Sequence, residues 1–274
     1  MAEILSGSGA VEPVNTPRLS KSKFISGLQC DKRLYLEIYQ PQLATPPDAG
    51  TQAILDMGTE VGELARQRFA GGRLVTAGYR QSEAALAETA ALMADPSVPA
   101  IFEAAIQADG VLIRVDILER VRSAEGGEQG WRLIEVKSST KVKDVHLDDL
   151  ALQRHVLVSA GLTIVGSHLM RINTGYVYAG GTPDLCQLFA IDDVSGPVAE
   201  RQELVPDKLN AMKRMLREPS IPAVEPDELA ALGQPAPLVE RRDELHRARV
   251  VVGPTAGGLH DREAGPHETR VEGE

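Results

Sequence analysis

The segment Leu133-Ile134-Glu135-Val136-Lys137-Ser138-Ser139 joins an apolar strand pattern to two charges that a strand would hold on one face. Side chains alternate across a strand, so Glu135 and Lys137 project together while Val136 enters the core on the other side. Upstream, Val111, Ile113, Val115 and Ile117 alternate with Leu112, Arg114, Asp116 and Leu118, as in a strand with one buried face. Ser123 to Gly130, with Gly126-Gly127, reads as the loop that lets the two strands lie antiparallel, the second running from Trp131 to Lys137. A register that puts Asp116 and Glu135 on the same face brings two carboxylates together with an ammonium beside them.

Two carboxylates so close repel unless a cation lies between them, and hard divalent ions such as Mg²⁺ or Mn²⁺ prefer oxygen ligands. The Val136 backbone carbonyl can add a third oxygen. An ion there would lower the pKa of its water and polarise a phosphorus centre, with Lys137 orienting the attacking water or offsetting transition-state charge. The reaction implied is phosphodiester hydrolysis. A helix expected from Asp144 to Ala160, closed by Gly161, places His146, Asp149 and Gln153 at i, i+3 and i+7 on one face. Gln153 can then hydrogen-bond water or a phosphate, and Lys141, Lys143 and Arg154 supply local positive charge for a nucleic-acid backbone. The bare pattern Asp…Glu-x-Lys is commonplace on hairpins; its apolar setting and the helix that follows give it weight.

Outward from this centre, residues 1–18 read as a loose leader. A helical pattern then brings Phe24, Leu28 and Tyr35 to one side, with Ser20 or Ser22 as N-cap. Helices are expected over Gln52 to Phe69, before Gly71-Gly72, and over Gln81 to Met93, before Asp95-Pro96. Ala100 to Gln107 reads as a strand turned through Asp109-Gly110 into the Asp116 strand. Leu162 to Asn173 and Asp184 to Ile191 read as two more strands, and Pro197 to Arg217 as a last helix. Residues 223–274 shift toward Pro, Gly, Glu and Arg and read as a largely disordered tail. The class expected is α/β: a mixed central sheet flanked by helices, with a helical N-terminal region.

Composition narrows the classes further. At 274 residues and 43% apolar content the chain can build a real core, and no apolar run reaches the length of a bilayer span. Met1 to Pro17 lacks the pattern of a secretory signal, and two cysteines, Cys30 and Cys186, do not make a disulfide framework, so a reducing cytoplasm is expected. The formal charge of −10 argues against coating nucleic acid by bulk electrostatics but leaves room for a local basic cleft. His246, His260 and His267 are too scattered for a metal site, and Trp131 reads as core or sheet-edge packing.

Five motifs in order resemble the PD-(D/E)xK phosphodiesterases of the RecB-like exonuclease branch, which includes CRISPR-associated exonucleases carrying an iron-sulfur cluster. They are Leu19-Ser20-Lys21-Ser22-Lys23-Phe24-Ile25-Ser26-Gly27-Leu28-Gln29-Cys30, Gly58-Thr59-Glu60-Val61-Gly62-Glu63-Leu64-Ala65-Arg66, Arg114-Val115-Asp116-Ile117-Leu118, Glu135-Val136-Lys137 and Gln153. The chain is similar too to bacterial proteins of unknown function with an N-terminal nuclease domain of this kind. The likeness covers residues 19–222 and implies a restriction-endonuclease-like core, dependence on Mg²⁺ or Mn²⁺, and exonuclease-like cleavage of single-stranded DNA or DNA ends. It also implies protein partners in repair or defence. Asp116, Glu135, Lys137 and Gln153 match the family pattern, with Asp116, Glu135 and the Val136 carbonyl as metal ligands. Where that branch carries a helical His ligand this chain has Gly62, leaving Glu63, or less directly Glu60, as an oxygen substitute. Cys30 stands where cluster-bearing relatives have an early cysteine, but the later cysteines are missing, so a [4Fe-4S] ligand set is incomplete and Cys30 reads as a relic. Otherwise the chain reads as a truncated or frame-altered version of a longer protein; the alternative to a nuclease is a catalytically inactive nucleic-acid-binding or assembly subunit that retains the fold.

Overall fold

The computed structural model describes residues 17–122, 128–218 and 220–223; most of the leader, the Gly126-Gly127 loop, the tail and its histidines lie outside the described residues. The elements run β1 (Leu19–Ser20), α1 (Lys21–Gln29), α2 (Asp31–Tyr39), α3 (Ala49–Arg66), β2 (Arg73–Leu74), α4 (Ser82–Ala94), β3 (Ala100–Ala108), β4 (Val111–Arg122), β5 (Glu128–Lys137), α5 (Asp144–Ser159), β6 (Ile164–Ile172), α6 (Leu185–Leu188), β7 (Phe189–Asp193), α7 (Ser195–Gln202) and α8 (Val205–Met215). A short 3₁₀ turn, Pro41–Leu43, follows α2. The expected α/β class with a mixed sheet flanked by helices is what the chain adopts. None of the helices among the described residues is long and apolar enough to cross a membrane.

One seven-stranded sheet runs in the order β2-β3-β4-β5-β6-β7, with β1 paired to β4 off that path. β3, β4 and β5 form an antiparallel meander, whereas β5 and β6 are parallel and joined through α5. Asp109 (φ 49°) and Gly110 (φ 68°) turn β3 into β4 with both residues left-handed, the twist a two-residue hairpin favours. At the end of α5 Gly161 adopts φ 87°, and Leu162 N–H returns to Leu157 O at 3.0 Å while Gly161 N–H reaches Val158 O at 2.9 Å. Those two bonds satisfy the last carbonyls of the helix and release the chain into β6.

The two sheet faces build separate cores. One gathers Phe24, Leu34, Ile106, Val115, Leu118, Leu150, Leu157, Val198 and Leu209, sealing α1, α2, α5, α7 and α8 onto the sheet. The other holds Val61 and Ala65 of α3 with Phe102, Ile117, Ile134, Met170 and Leu188. Trp131 is buried in the first, its ring under the Arg120 guanidinium at 4.3 Å, as the packing expectation held.

Several local expectations are corrected. The first helical pattern is broken at Cys30, whose φ of −168° and ψ of 124° are extended, so it forms two helices. The last helix is likewise two, α7 and α8. Asp184 to Ile191 is not one strand: Asp184 caps the short helix α6, its Oδ1 accepting from Cys186 N and Gln187 N, and β7 begins only at Phe189. Cys186, on α6, is exposed. A short polar side chain that accepts from the amides two and three residues on offers the backbone a helical start that outcompetes an apolar strand pattern.

Candidate active site

The β4–β5 ladder runs from Arg122↔Glu128 to Ile117↔Ile134, and the same register carried one step further would set Asp116 across from Glu135. There the strands part: Val136 N–H donates to the Asp116 side chain, Oδ2 at 2.8 Å. Beyond the split β1 pairs in parallel with the start of β4, Leu19↔Val111 and Ser20↔Leu112, and delivers Lys21 as the first residue of α1. Ser20 caps that helix, its Oγ accepting from Lys23 N at 3.4 Å.

Alternation along β4 also breaks at this point. Val111, Ile113 and Val115 lie in the α5-side core, but Ile117 packs in the opposite one and Leu118 takes its place. The expectation that Ile117 shares a face with Val111, Ile113 and Val115 is thus overturned. The neighbouring strand has its own break between Phe102↔Ile117 and Ala104↔Val115, where Glu103 holds φ 55°. A non-glycine left-handed residue inside a strand is strained, and such strain clusters at functional sites. Glu103 is held by Arg66 of α3, whose Nη2 donates to Oε1 at 2.8 Å.

Around the split sits a charged cluster. Lys21 Nζ lies 3.0 Å from each Glu135 oxygen and 3.6 Å from Asp149 Oδ2. Lys137 Nζ contacts Glu135 Oε1 and lies 3.0 Å from Asp149 Oδ2. The Gln153 amide donates to Glu135 Oε2 at 2.8 Å and to Asp149 Oδ1 at 3.2 Å. Glu135 is 1% exposed, so its carboxylate is held almost wholly by these partners. Gln153 Oε1 is buried and has no hydrogen-bond partner among the described residues. His146, on the same helix, turns inward and its Nδ1 accepts from Lys143 N at 3.3 Å.

The charges are unevenly shared. Burial opposes ionisation of Glu135, but the ammonium groups of Lys137 and Lys21 outweigh it and hold this carboxyl well below the usual range. Burial opposes the charge on both lysines as well; Glu135 and Asp149 overcome it and hold them protonated. Among the described residues Asp116 makes no direct ion pair, and Lys21 and Lys137 offset its charge only through space. Burial, then the charge of Glu135, pushes its carboxyl up to about 7. Asp149 is raised for the same two reasons.

A cleft of about 810 Å³ opens onto Asp116, Glu135 and Lys137, walled by α3 and by the loop before α4. The α3 face lining it is Leu55, Gly58, Thr59, Gly62 and Arg66, the spacing of one helical side. Glu60 and Glu63 are exposed and do not line the cleft, so the expected acidic substitutes for a helical ligand stand apart from Asp116. Lys141 is exposed, Lys143 starts α5 as its N-cap, and Arg154 is bonded to Gln202 of α7; none of the three lines the cleft. Cys30 is buried at the α1–α2 break. Asp116, Glu135, Lys137 and Gln153 are gathered as the motif spacing required. Lys21 was not foreseen as a site residue although its motif was, and Asp149 was placed on the Gln153 face without a chemical role. The alternation of β1 into α1 gives no hint of Lys21, whereas the i, i+4 relation of Asp149 and Gln153 is visible in sequence.

Among the described residues no group of three or more His, Cys, Asp or Glu is arranged to hold a metal ion. The donor chemistry at the split nevertheless suits a hard divalent cation. Asp116 and Glu135 are oxygen donors on adjoining strands, Asp116 has no ammonium on it, and the buried Gln153 Oε1 is an acceptor in want of a donor such as water. Compared with protein-family models and with curated proteins, the chain matches none.

Proposed function

We propose that this chain is a divalent-metal-dependent nuclease that hydrolyses phosphodiester bonds of DNA, acting like an exonuclease on single strands or ends. The observation that carries the reading is the parting of β4 and β5 at Asp116 and Glu135, which leaves one carboxyl with no direct ion pair among the described residues beside one clamped by two lysines at the floor of a cleft.

Mg²⁺ or Mn²⁺ would be held by Asp116, Glu135 and the Val136 carbonyl, and when bound would lower the pKa of water and polarise the phosphorus centre. The chain's own groups do the rest. Lys137, held charged by Glu135 and Asp149, is placed to offset negative charge that develops on the phosphoryl oxygens. Gln153 fixes Glu135 through its amide nitrogen and leaves its oxygen to accept from a water. Asp149 keeps Lys137 and Lys21 oriented toward Glu135. Lys21, Arg66, Arg114 and Lys137 line the cleft beside Glu103, Asp116 and Glu135, so cations are gathered there although the chain as a whole carries a net charge of −10.

The Lys21 ammonium on both oxygens of Glu135 favours a second reading, a nucleic-acid-binding or assembly subunit without catalysis, because a lysine there supplies charge in place of an ion. End-labelled single-stranded DNA incubated with Mg²⁺ or Mn²⁺ separates the two. The nuclease produces shortened products that Asp116→Ala and Lys137→Ala abolish; identical background products from all three proteins leave the binding subunit.

A further inference from the structure

Between β2 and α4 the chain forms a loop whose backbone is tied down on every side. Glu88 accepts from Thr76 N at 3.0 Å and from Ala77 N at 3.1 Å. Gln81 Oε1 accepts from Gly78 N at 3.0 Å, and Gln81 N returns to Gly78 O at 2.9 Å. Arg114 Nη2 donates to Ala77 O at 2.7 Å and to Gly78 O at 2.9 Å. The next residue, Tyr79, is 81% exposed, in a chain with only 4% aromatic content. A large ring held out on a fixed loop leaves an apolar face free for contact with a flat partner.

Three features say what that partner is. Arg114 lies two residues before Asp116 on β4, and its guanidinium carbon sits 4.8 Å from the Tyr79 ring centroid, covering one face and leaving the other open. Tyr79, Arg114 and Asp116 all line the same cleft. Across it, α3 presents Gly58 and Gly62, where an added Cβ would meet nothing within 4 Å, so the facing wall has room for a flat group. An aromatic face backed by a cation at the rim of a cleft is an arrangement on which bases of a single strand stack.

We propose that Tyr79, braced by Arg114, is a stacking platform for one unpaired base of the strand that runs into the cleft, positioning its backbone over Asp116 and Glu135. The identity of the occupant rests on the nuclease reading. Paired bases are stacked on one another and cannot offer a free face, so the platform selects unpaired nucleotides and does so without reading their sequence.

The test is fluorescence anisotropy in EDTA, with the full chain and two labelled oligonucleotides of equal length, oligo-dT and its wholly abasic counterpart. Tyr79→Ala should weaken oligo-dT binding about tenfold, within the span expected for losing one stacked base, and leave abasic binding at the wild-type value. Tyr79→Phe should keep oligo-dT binding within about twofold of wild type, because the ring face is retained. The proposal is overturned if Tyr79→Ala matches wild type on oligo-dT, if it weakens both oligonucleotides alike, if the Phe variant is as weak as the Ala variant, or if wild type binds neither. Circular dichroism of each variant confirms folding. Cleavage assays with Mn²⁺ separate the two claims: no cleavage with base-dependent binding intact removes the nuclease reading alone, and cleavage with unaltered Tyr79→Ala binding removes the platform alone.

Discussion

Lys21 Nζ stands 3.0 Å from both carboxylate oxygens of Glu135, although 114 residues separate them in the chain. The contact exists because β1 occupies the edge of β4 that β5 abandons at Asp116, which sets the first turn of α1 over the end of β5. Lys21 and Lys137 pair directly with Glu135 and Asp149, whereas among the described residues Asp116 makes no direct ion pair and feels both ammonium groups only through space.

Lys21→Met should destabilise the metal-free protein by about 1–3 kcal/mol, below the roughly 3–5 kcal/mol of a fully buried broken pair because Lys21 remains one-quarter exposed and Lys137 still serves Glu135. Urea unfolding in EDTA gives the number. Saturating Mn²⁺ should shrink the difference, since an ion at Glu135 replaces the lost charge; an undiminished difference would mean that Lys21 and the ion do not share a carboxylate.

The contribution of Asp116 to stability in EDTA should fall as pH rises between about 4 and 7. Asp116 has its folded pKa raised to about 7, so the folded state holds a proton that the unfolded chain has released above roughly 4. The contribution is complete below the unfolded pKa and lost on approach to the folded one. Glu135, lowered, acts in the opposite sense only below its unfolded value. Urea midpoints at pH 4.5 and pH 7.5 should therefore differ less for Asp116→Asn than for wild type.

Glu37 ties α1 to α2 across the break at Cys30, accepting from Arg33 Nε at 2.9 Å, Ser26 Oγ at 3.0 Å and Lys23 Nζ at 3.2 Å. Burial opposes its charge, and these three donors outweigh it and lower its pKa. Glu37→Gln should cost roughly 1 kcal/mol at pH 7. Because the folded pKa is depressed, that stability is present above the unfolded pKa and is lost as pH falls through the folded one. The gap between wild type and variant in urea unfolding should narrow steadily below pH 4.

Gly130 and Gly62 should respond oppositely to alanine. Gly130 holds φ 149°, and an added Cβ would stand 2.6 Å from Thr163 O, a backbone atom that cannot move aside. Gly130→Ala should lose about 1–3 kcal/mol. Gly62 lies in α3 with open space around a Cβ, so Gly62→Ala should gain up to about 1 kcal/mol from helix propensity. Thermal unfolding of both variants checks the pair.

Local chemistry in the sequence determined a good deal of this protein. A period-two apolar run set β4, apolar stretches set β3 and β5, Asp109-Gly110 set the hairpin, Gly161 ended α5, and strand alternation put Glu135 and Lys137 on one face, because each rests on the backbone and side-chain preferences of a few neighbouring residues. Asp184 to Ile191 departs from a single strand because one capping side chain outweighs an apolar run. What only the tertiary structure decided is where the sheet comes apart. The strand phase slips at Asp116 and Glu103, Ile117 changes faces, and a lysine from the first helix arrives at Glu135, all consequences of which strand edges pair across long separations. No local periodicity encodes that choice, since it is settled by the packing of two opposed cores against one sheet.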